Sequence, residues 1–153
     1  MSSTSPLERA SYVVLRIGNR RFALPSRHIV ELAPPVRLHE FPHASKFVAG
    51  VIVRRGRIVP VYEVSTLLTG RESSLHRFYL VANVAVGTEH EASAIPVTGE
   101  CELASGDLLP REESDPEYFT GKLLMDGEAI DVLNLESLVA AGAALAQSAG
   151  ARP

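Results

Sequence analysis

The chain carries an internal repeat that aligns without a gap at a shift of 71 residues. Residues 47–61 lie over residues 118–132, and the register continues both upstream and downstream of them. Glycines and apolar positions that agree in one register indicate two copies of one small β-unit, although two β-rich halves can also share turn glycines by chance. The matched pairs include Pro25 with Pro96, Leu38 with Leu109, Gly50 with Gly121, Gly56 with Gly127, Val61 with Val132 and Leu67 with Leu138.

Hydrophobic residues alternate along most of the chain with a period of two, which is typical of β-strands. The alternation and the turn residues predict three hairpins: 13–24 around Gly18-Asn19, 48–62 around Arg55-Gly56, and 121–133 around Asp126-Gly127. A long strand is predicted over residues 77–86, and short helical segments over 26–31, 44–48, 64–69 and 134–141. Many short strands joined by glycine turns favour barrels over sandwiches.

Length and charge limit the possible classes of protein. A chain of 153 residues can form one compact domain with a real core. A net charge of −3 argues against nucleic acid or an anionic membrane as the main partner. Because there is a single cysteine, Cys101, no disulfide can form within the chain, and a reducing cytoplasm is indicated. Residues 1–10 are predicted to be a flexible N-terminus, 11–140 the folded domain with repeat halves at roughly 22–68 and 93–139, and 141–153 a helix end and tail.

Motifs for catalysis or for binding a cofactor are missing from the sequence. The five histidines lack metal-ligand spacing, and no Gly-x-Ser-x-Gly turn or glycine-rich phosphate loop occurs. Cys101 has no neighbouring histidine or basic residue that would activate its thiol. The sequence therefore predicts a binding protein that is not an enzyme, with no catalytic residues, no metal and no cofactor.

Residues 50–61, followed by Glu63 and Leu67-Leu68, resemble the signature of the CheW-like family of bacterial chemosensory scaffold proteins. Supporting similarity comes from residues 22–25 and 29–32 near the start of the chain and from residues 118–121 and 132–136 near its end. The resemblance covers roughly residues 12–140. It implies a mostly β fold of two pseudo-repeated, SH3-like, five-stranded β-barrels that share a hydrophobic seam and carry short helices.

The same resemblance implies a function. Such a protein is a non-catalytic adaptor that joins the cytoplasmic tip of a chemoreceptor to the regulatory domain of a CheA-type histidine kinase. It would be cytoplasmic, with any membrane association made through receptor arrays. No nucleic-acid binding and no direct membrane insertion are expected.

Partner-binding residues are expected around the central hairpin of the first repeat. Glu31 and Arg55 are predicted to form a partly exposed ion pair, and Gly50 would let another backbone approach closely. The alternative interpretations are that Ile29 and Val51 are core residues and that Arg55 is a solvated turn residue. The full predicted set is Ile29, Glu31, Val48, Gly50, Val51, Arg55 and Gly56.

Residues 89–101 depart from the family pattern, because Ala, Ser and Pro replace bulky β-formers there. This strand, expected in the second barrel, is therefore predicted to be weakly specified, and the segment 103–110 is short. Both features put the contacts of the second barrel in doubt, so Glu100 and Gly121 would tolerate substitution. They leave open an alternative function: a regulatory module that binds and controls one kinase or enzyme without contacting a receptor.

Overall fold

The computed structural model describes residues 10–40, 47–71, 78–86, 88–98 and 101–150. These residues form β-strands joined by short turns, one 3₁₀ turn at Ser26–His28 and two α-helices. In chain order the elements are β1 (Ser11–Ile17), β2 (Arg20–Pro25), β3 (Ile29–Ala33), β4 (Val48–Arg54), β5 (Arg57–Tyr62), α1 (Ser65–Thr69), β6 (Phe78–Val86), β7 (Glu89–Val97), β8 (Glu102–Ser105), β9 (Asp107–Pro110), β10 (Phe119–Met125), β11 (Glu128–Leu133) and α2 (Leu135–Gly150).

All three predicted hairpins form, as β1–β2, β4–β5 and β10–β11. The turn residues Arg55 and Gly56 have φ of 52° and 76°, and Asp126 and Gly127 have φ of 51° and 81°. Positive φ at both central residues gives a two-residue turn whose twist matches that of the flanking strands. The predicted positive φ at Gly56 is therefore confirmed.

The predicted helical segment at 26–31 is wrong beyond its single 3₁₀ turn. Residues Ile29–Ala33 form β3 and pair with β6, because β-branched residues favour a strand and β6 supplies a partner. The helices predicted at 64–69 and 134–141 are present as α1 and α2, with α2 continuing to Gly150. Residues 44–46 of the segment predicted at 44–48, residues 1–9 and residues 151–153 lie outside the described residues.

Each β-sheet combines strands from both repeats. The strand orders are β8-β1-β2-β11-β10-β9 and β3-β6-β7-β5-β4. The shift of 71 residues carries β4 onto β10 and β5 onto β11 with the same bounds. It also carries the parallel pair Ala23–Val132 onto the parallel pair Ala94–Val61. The first hairpin of each repeat is thus exchanged into the sheet made by the rest of the other repeat.

Each sheet curls into a small barrel. In barrel 2 (β1, β2 and β8–β11), β8 and β9 form one strand that bends at Gly106, β8 pairing with β1 and β9 with β10. In barrel 1 (β3–β7), β3 pairs with β6, and an isolated bridge between His39 and Val51 continues the closure to β4. The predicted fold class of two SH3-like five-stranded barrels is confirmed.

Three apolar clusters fill the molecule, and strand alternation separates them. On β1, Tyr12 and Val14 point into barrel 2, whereas Leu15 and Ile17 point to the layer between the barrels. Because side chains alternate across a strand, the central strands are buried on both faces. This shared layer is the predicted hydrophobic seam, and its buried members are Leu15, Ile17, Phe22, Leu24, Val64, Leu68, Leu80, Ala82, Val84, Ile95, Val97, Leu133, Leu135 and Leu138.

The strand predicted to be weakly specified is fully formed and belongs to barrel 1. β7 pairs with β6 along all of Glu89–Val97 and lies between β6 and β5 in the sheet. Its small residues are explained by position, since Ala94 is wholly buried inside barrel 1 and Ser93 is hydrogen-bonded to Tyr62. The expectation of a weakened second barrel was therefore wrong.

Helix α2 follows the last strand of barrel 2 but makes contacts with barrel 1. Asn134 caps its first turn, with Oδ1 accepting a hydrogen bond from the N–H of Ser137 at 3.1 Å. The ring of Phe47 packs against Gly142 so closely that a Cβ there would overlap it. The helix therefore ties the two barrels together across the seam.

Candidate partner-binding surface

The β4–β5 hairpin carries most of the predicted partner-binding residues. Its strands are rich in Val and Ile, which suit a pleated, half-buried surface. The turn places the side chain of Arg55 at the tip, where Arg55 and Gly56 are exposed. These two predicted residues are therefore accessible to a partner.

Glu31 forms an ion pair with Arg54, so the predicted pairing with Arg55 was wrong. The Nε of Arg54 donates to one carboxylate oxygen of Glu31 at 3.1 Å, and its terminal amino group donates to the other at 2.8 Å. This hydrogen bond is the main reason why the pKa of Glu31 is lowered. The two-pronged geometry fixes the direction of both side chains.

Strand alternation explains why Arg54 is the partner. Arg54 lies on the same face of β4 as the buried residues Gly50 and Ile52. Glu31 lies on the same face of β3 as the buried residue Ala33. Since β3 and β4 are the two edge strands of their sheet, the ion pair joins its ends and closes barrel 1.

Gly50 does permit a close backbone approach, but the approaching backbone belongs to this chain. Its φ is 149°, and a Cβ there would fall inside 3.0 Å of the carbonyl oxygen of His39. The N–H of Val51 donates to that same carbonyl at 2.9 Å, and the N–H of His39 donates to the carbonyl of Val51 at 2.8 Å. Gly50 is therefore a structural residue of the barrel, and its assignment as a contact residue was wrong.

The remaining predicted residues are half-buried. Ile29 packs against the seam cluster, while Val48 and Val51 lie on β4 with part of their side chains exposed. Each thus combines the two interpretations, core and contact. Their exposed parts can contribute apolar area beside the tip.

Exposed apolar side chains that the sequence prediction missed lie next to both members of the ion pair. Val53 and Ile58 are cross-strand partners beside the turn and are 50% and 72% exposed. Val30 and Leu32 flank Glu31 on β3 and are also exposed. The available signal was the uninterrupted apolar run at 51–53, where a strand with one solvated face would alternate.

Barrel 2 repeats this exposed apolar pattern in the register of the sequence repeat. Leu103 and Leu124 occupy the positions equivalent to Leu32 and Val53 and are 76% and 46% exposed. Leu108 and Leu109 of β9 are exposed as well. Both barrels therefore present apolar side chains to solvent at matching positions.

Other kinds of site find no support in the part of the chain that the structure describes. There, no group of three or more His, Cys, Asp or Glu residues could hold a metal ion. Burial raises the pKa of the Cys101 thiol, which disfavours the reactive thiolate. None of the described helices is long and apolar enough to cross a membrane.

Comparison with known proteins gives matches over most of the chain. A model of the CheW-like domain family matches residues 11–143. Protein FrzA of Myxococcus xanthus is similar, at 26% identity over 134 residues and with 84% of each chain covered. The crystal structure of the scaffolding protein TtCheW from Thermoanaerobacter tengcongensis is similar in fold, with a TM-score of 0.74 at 19% identity, covering 85% of this chain and 92% of that one.

Proposed function

This chain belongs to the CheW-like family, and we propose that it couples the cytoplasmic tip of a chemoreceptor to the regulatory domain of a CheA-type histidine kinase. Proteins of this family are non-catalytic adaptors of chemosensory signalling. The observation that carries the proposal is the extent of the family match, which spans both barrels and the seam between them. An adaptor needs two surfaces on one rigid body, and this body retains both barrels. We place it in the cytoplasm, in contact with the membrane only through receptor arrays.

The hairpin tip of barrel 1 is the proposed centre of partner contact. Interfaces concentrate their binding free energy in a few apolar or arginine side chains. Val53, Ile58 and Arg55 supply this combination and are all exposed. The ion pair of Glu31 and Arg54 holds the strand ends beneath them, so its role is to position the surface.

The half-buried residues extend this surface in two directions. Val48 and Val51 add apolar area along β4, and Gly56 allows the tight turn that presents Arg55. Ile29 lies where β3 meets the seam cluster. An amphipathic helix docks in apolar grooves of this kind, which suits the helical tip of a receptor.

The alternative function is a module that controls one kinase or enzyme without contacting a receptor. It drew its support from the expectation of a weakened second barrel. Since β7 is complete and belongs to barrel 1, that support is gone.

The test is to measure the affinity of the purified protein for a receptor-tip fragment and for the kinase regulatory domain in separate titrations. Both should bind, and Arg55→Asp should weaken at least one complex about tenfold or more. An Asp is tolerated at this turn position, because Asp126 occupies the equivalent position with φ of 51°. The matched control is Arg71→Asp, which removes another exposed arginine. Binding to the kinase alone would favour the single-enzyme module, and binding to neither would refute the proposal.

A further inference from the structure

The two repeat-related hairpins end in tips of the same shape and opposite charge. Tip 1 (residues 53–58) reads Val-Arg-Arg-Gly-Arg-Ile, and tip 2 (residues 124–129) reads Leu-Met-Asp-Gly-Glu-Ala. The turn residues of the two tips have nearly the same φ values. Arginines at positions 55 and 57 are thus replaced by Asp126 and Glu128 on an unchanged backbone.

The basic charge of tip 1 is available to a partner. Arg54 is engaged by Glu31 within barrel 1. Arg55 and Arg57 are exposed, and neither has an ion pair with another residue in the described ranges. Two cations therefore project from this tip.

The acidic charge of tip 2 is also accessible. Asp126 is exposed and makes no ion pair within the described part of the chain. Glu128 contacts Arg21, yet its side chain remains 64% exposed. Asp126 is therefore the freer of the two anions, and Glu128 adds to the field around it.

Apolar side chains accompany the charges at both tips. Val53 and Ile58 are exposed partners across tip 1. Leu124 and Ala129 are exposed partners across tip 2. Each tip thus combines an apolar pair with charges of one sign, and the two combinations are complementary.

We propose that tip 1 of one molecule binds tip 2 of a second copy of this chain, so that the protein self-associates head to tail. Complementary charge steers the encounter and selects the pairing, whereas two like tips repel each other. Each molecule retains a free tip of each sign after one contact. A heterologous contact of this kind adds further copies until a ring closes or a filament grows. The inference concerns the isolated chain and does not depend on binding to a receptor or a kinase.

The test uses purified protein in sedimentation-velocity runs from micromolar to millimolar concentration, at low and high salt. Wild type should form species larger than a dimer as concentration rises, and salt should reduce them because it screens exposed charges. Variant R55D/R57E gives tip 1 the acidic residues of tip 2. Variant D126R/E128R gives tip 2 the basic residues of tip 1. Each variant alone should lose association by about tenfold or more, because like charges then face each other.

Mixing supplies the decisive result. An equimolar mixture of the two variants should associate again, since one offers only acidic tips and the other only basic tips. R37E/R71E, which changes two other exposed arginines, is the charge-matched control and should associate like wild type. Melting curves should show that every variant is folded. A wild type that stays monomeric, variants that associate unchanged, or a mixture that stays monomeric would each overturn the proposal.

Discussion

Gly50 allows the most demanding test of how barrel 1 closes. Replacing it with alanine places a Cβ against the carbonyl oxygen of His39 and 3.1 Å from the Cα of Glu40. Both atoms belong to backbone that is held by the hydrogen bonds between His39 and Val51, so neither can move freely. The φ of 149° adds a second cost, because residues with a side chain rarely adopt it.

Three glycines separate these two costs. Gly56→Ala tests positive φ alone, since a Cβ there meets nothing within 4 Å, and should cost about 1–2 kcal/mol. Gly121→Ala tests the clash alone, against the carbonyl of Leu109, and should cost about 1–3 kcal/mol. Gly50→Ala combines both, so the free energy of unfolding should fall by about 2–6 kcal/mol.

The assay is urea unfolding followed by circular dichroism, supported by thermal melts. For a chain of this size, each 1 kcal/mol lowers Tm by about 2–4 °C, so Gly50→Ala should melt well below the other two variants. Equal losses for Gly50→Ala and Gly56→Ala would refute the argument that His39 closes the barrel at this point. A partner affinity that falls for Gly50→Ala while its melt is unchanged would restore Gly50 as a contact residue.

Three further perturbations test other parts of the fold. The lowered pKa of Glu31 means that its pairing with Arg54 contributes fully above the ordinary value of 4.5 and is lost as pH falls through the lowered pKa. The difference in unfolding free energy between wild type and Glu31→Gln should therefore be constant above that pH and shrink below it in a urea titration; a difference that grows in acid would contradict the pairing. Gly142→Ala should lower Tm although alanine favours helix, because its Cβ would displace the ring of Phe47; a raised Tm would show that α2 does not pack there. Arg20→Ala should cost about 1–2 kcal/mol in urea unfolding by losing contacts to α1, β11 and an aromatic ring, and a change below the error of the measurement would contradict these contacts.

Local patterns predicted the hairpins because their signals are short in range. Strand alternation and a glycine turn are contained within about ten residues, as in β4–β5 and β10–β11. The segment at 26–31 failed because its conformation depends on a distant strand: β3 exists through its pairing with β6, nearly 50 residues further along the chain. No local propensity encodes such a partner.

The candidate site was predicted in position but not in detail. Sequence similarity located the hairpin, yet it could not decide between the adjacent arginines 54 and 55. The deciding factor is geometric, since the last strand residue points toward the edge of the barrel and the first turn residue points to solvent. The same limit applies to Gly50, whose close backbone contact was expected from the residue type, while the identity of the contacting backbone required the fold.

The exchange of hairpins between repeats changes what a variation in either repeat can affect. Residues 89–97 belong to the second repeat in sequence, but they form a central strand of barrel 1, beside the hairpin that carries Arg55. On that strand, Ala94 fills the interior of barrel 1, whereas Ile95 fills the seam. A larger residue at position 94 would therefore disturb the barrel that presents the candidate surface, not the barrel of its own repeat. The small residues that look like degeneration in the sequence are required by this packing, so neither repeat can weaken without affecting the surface built on the other.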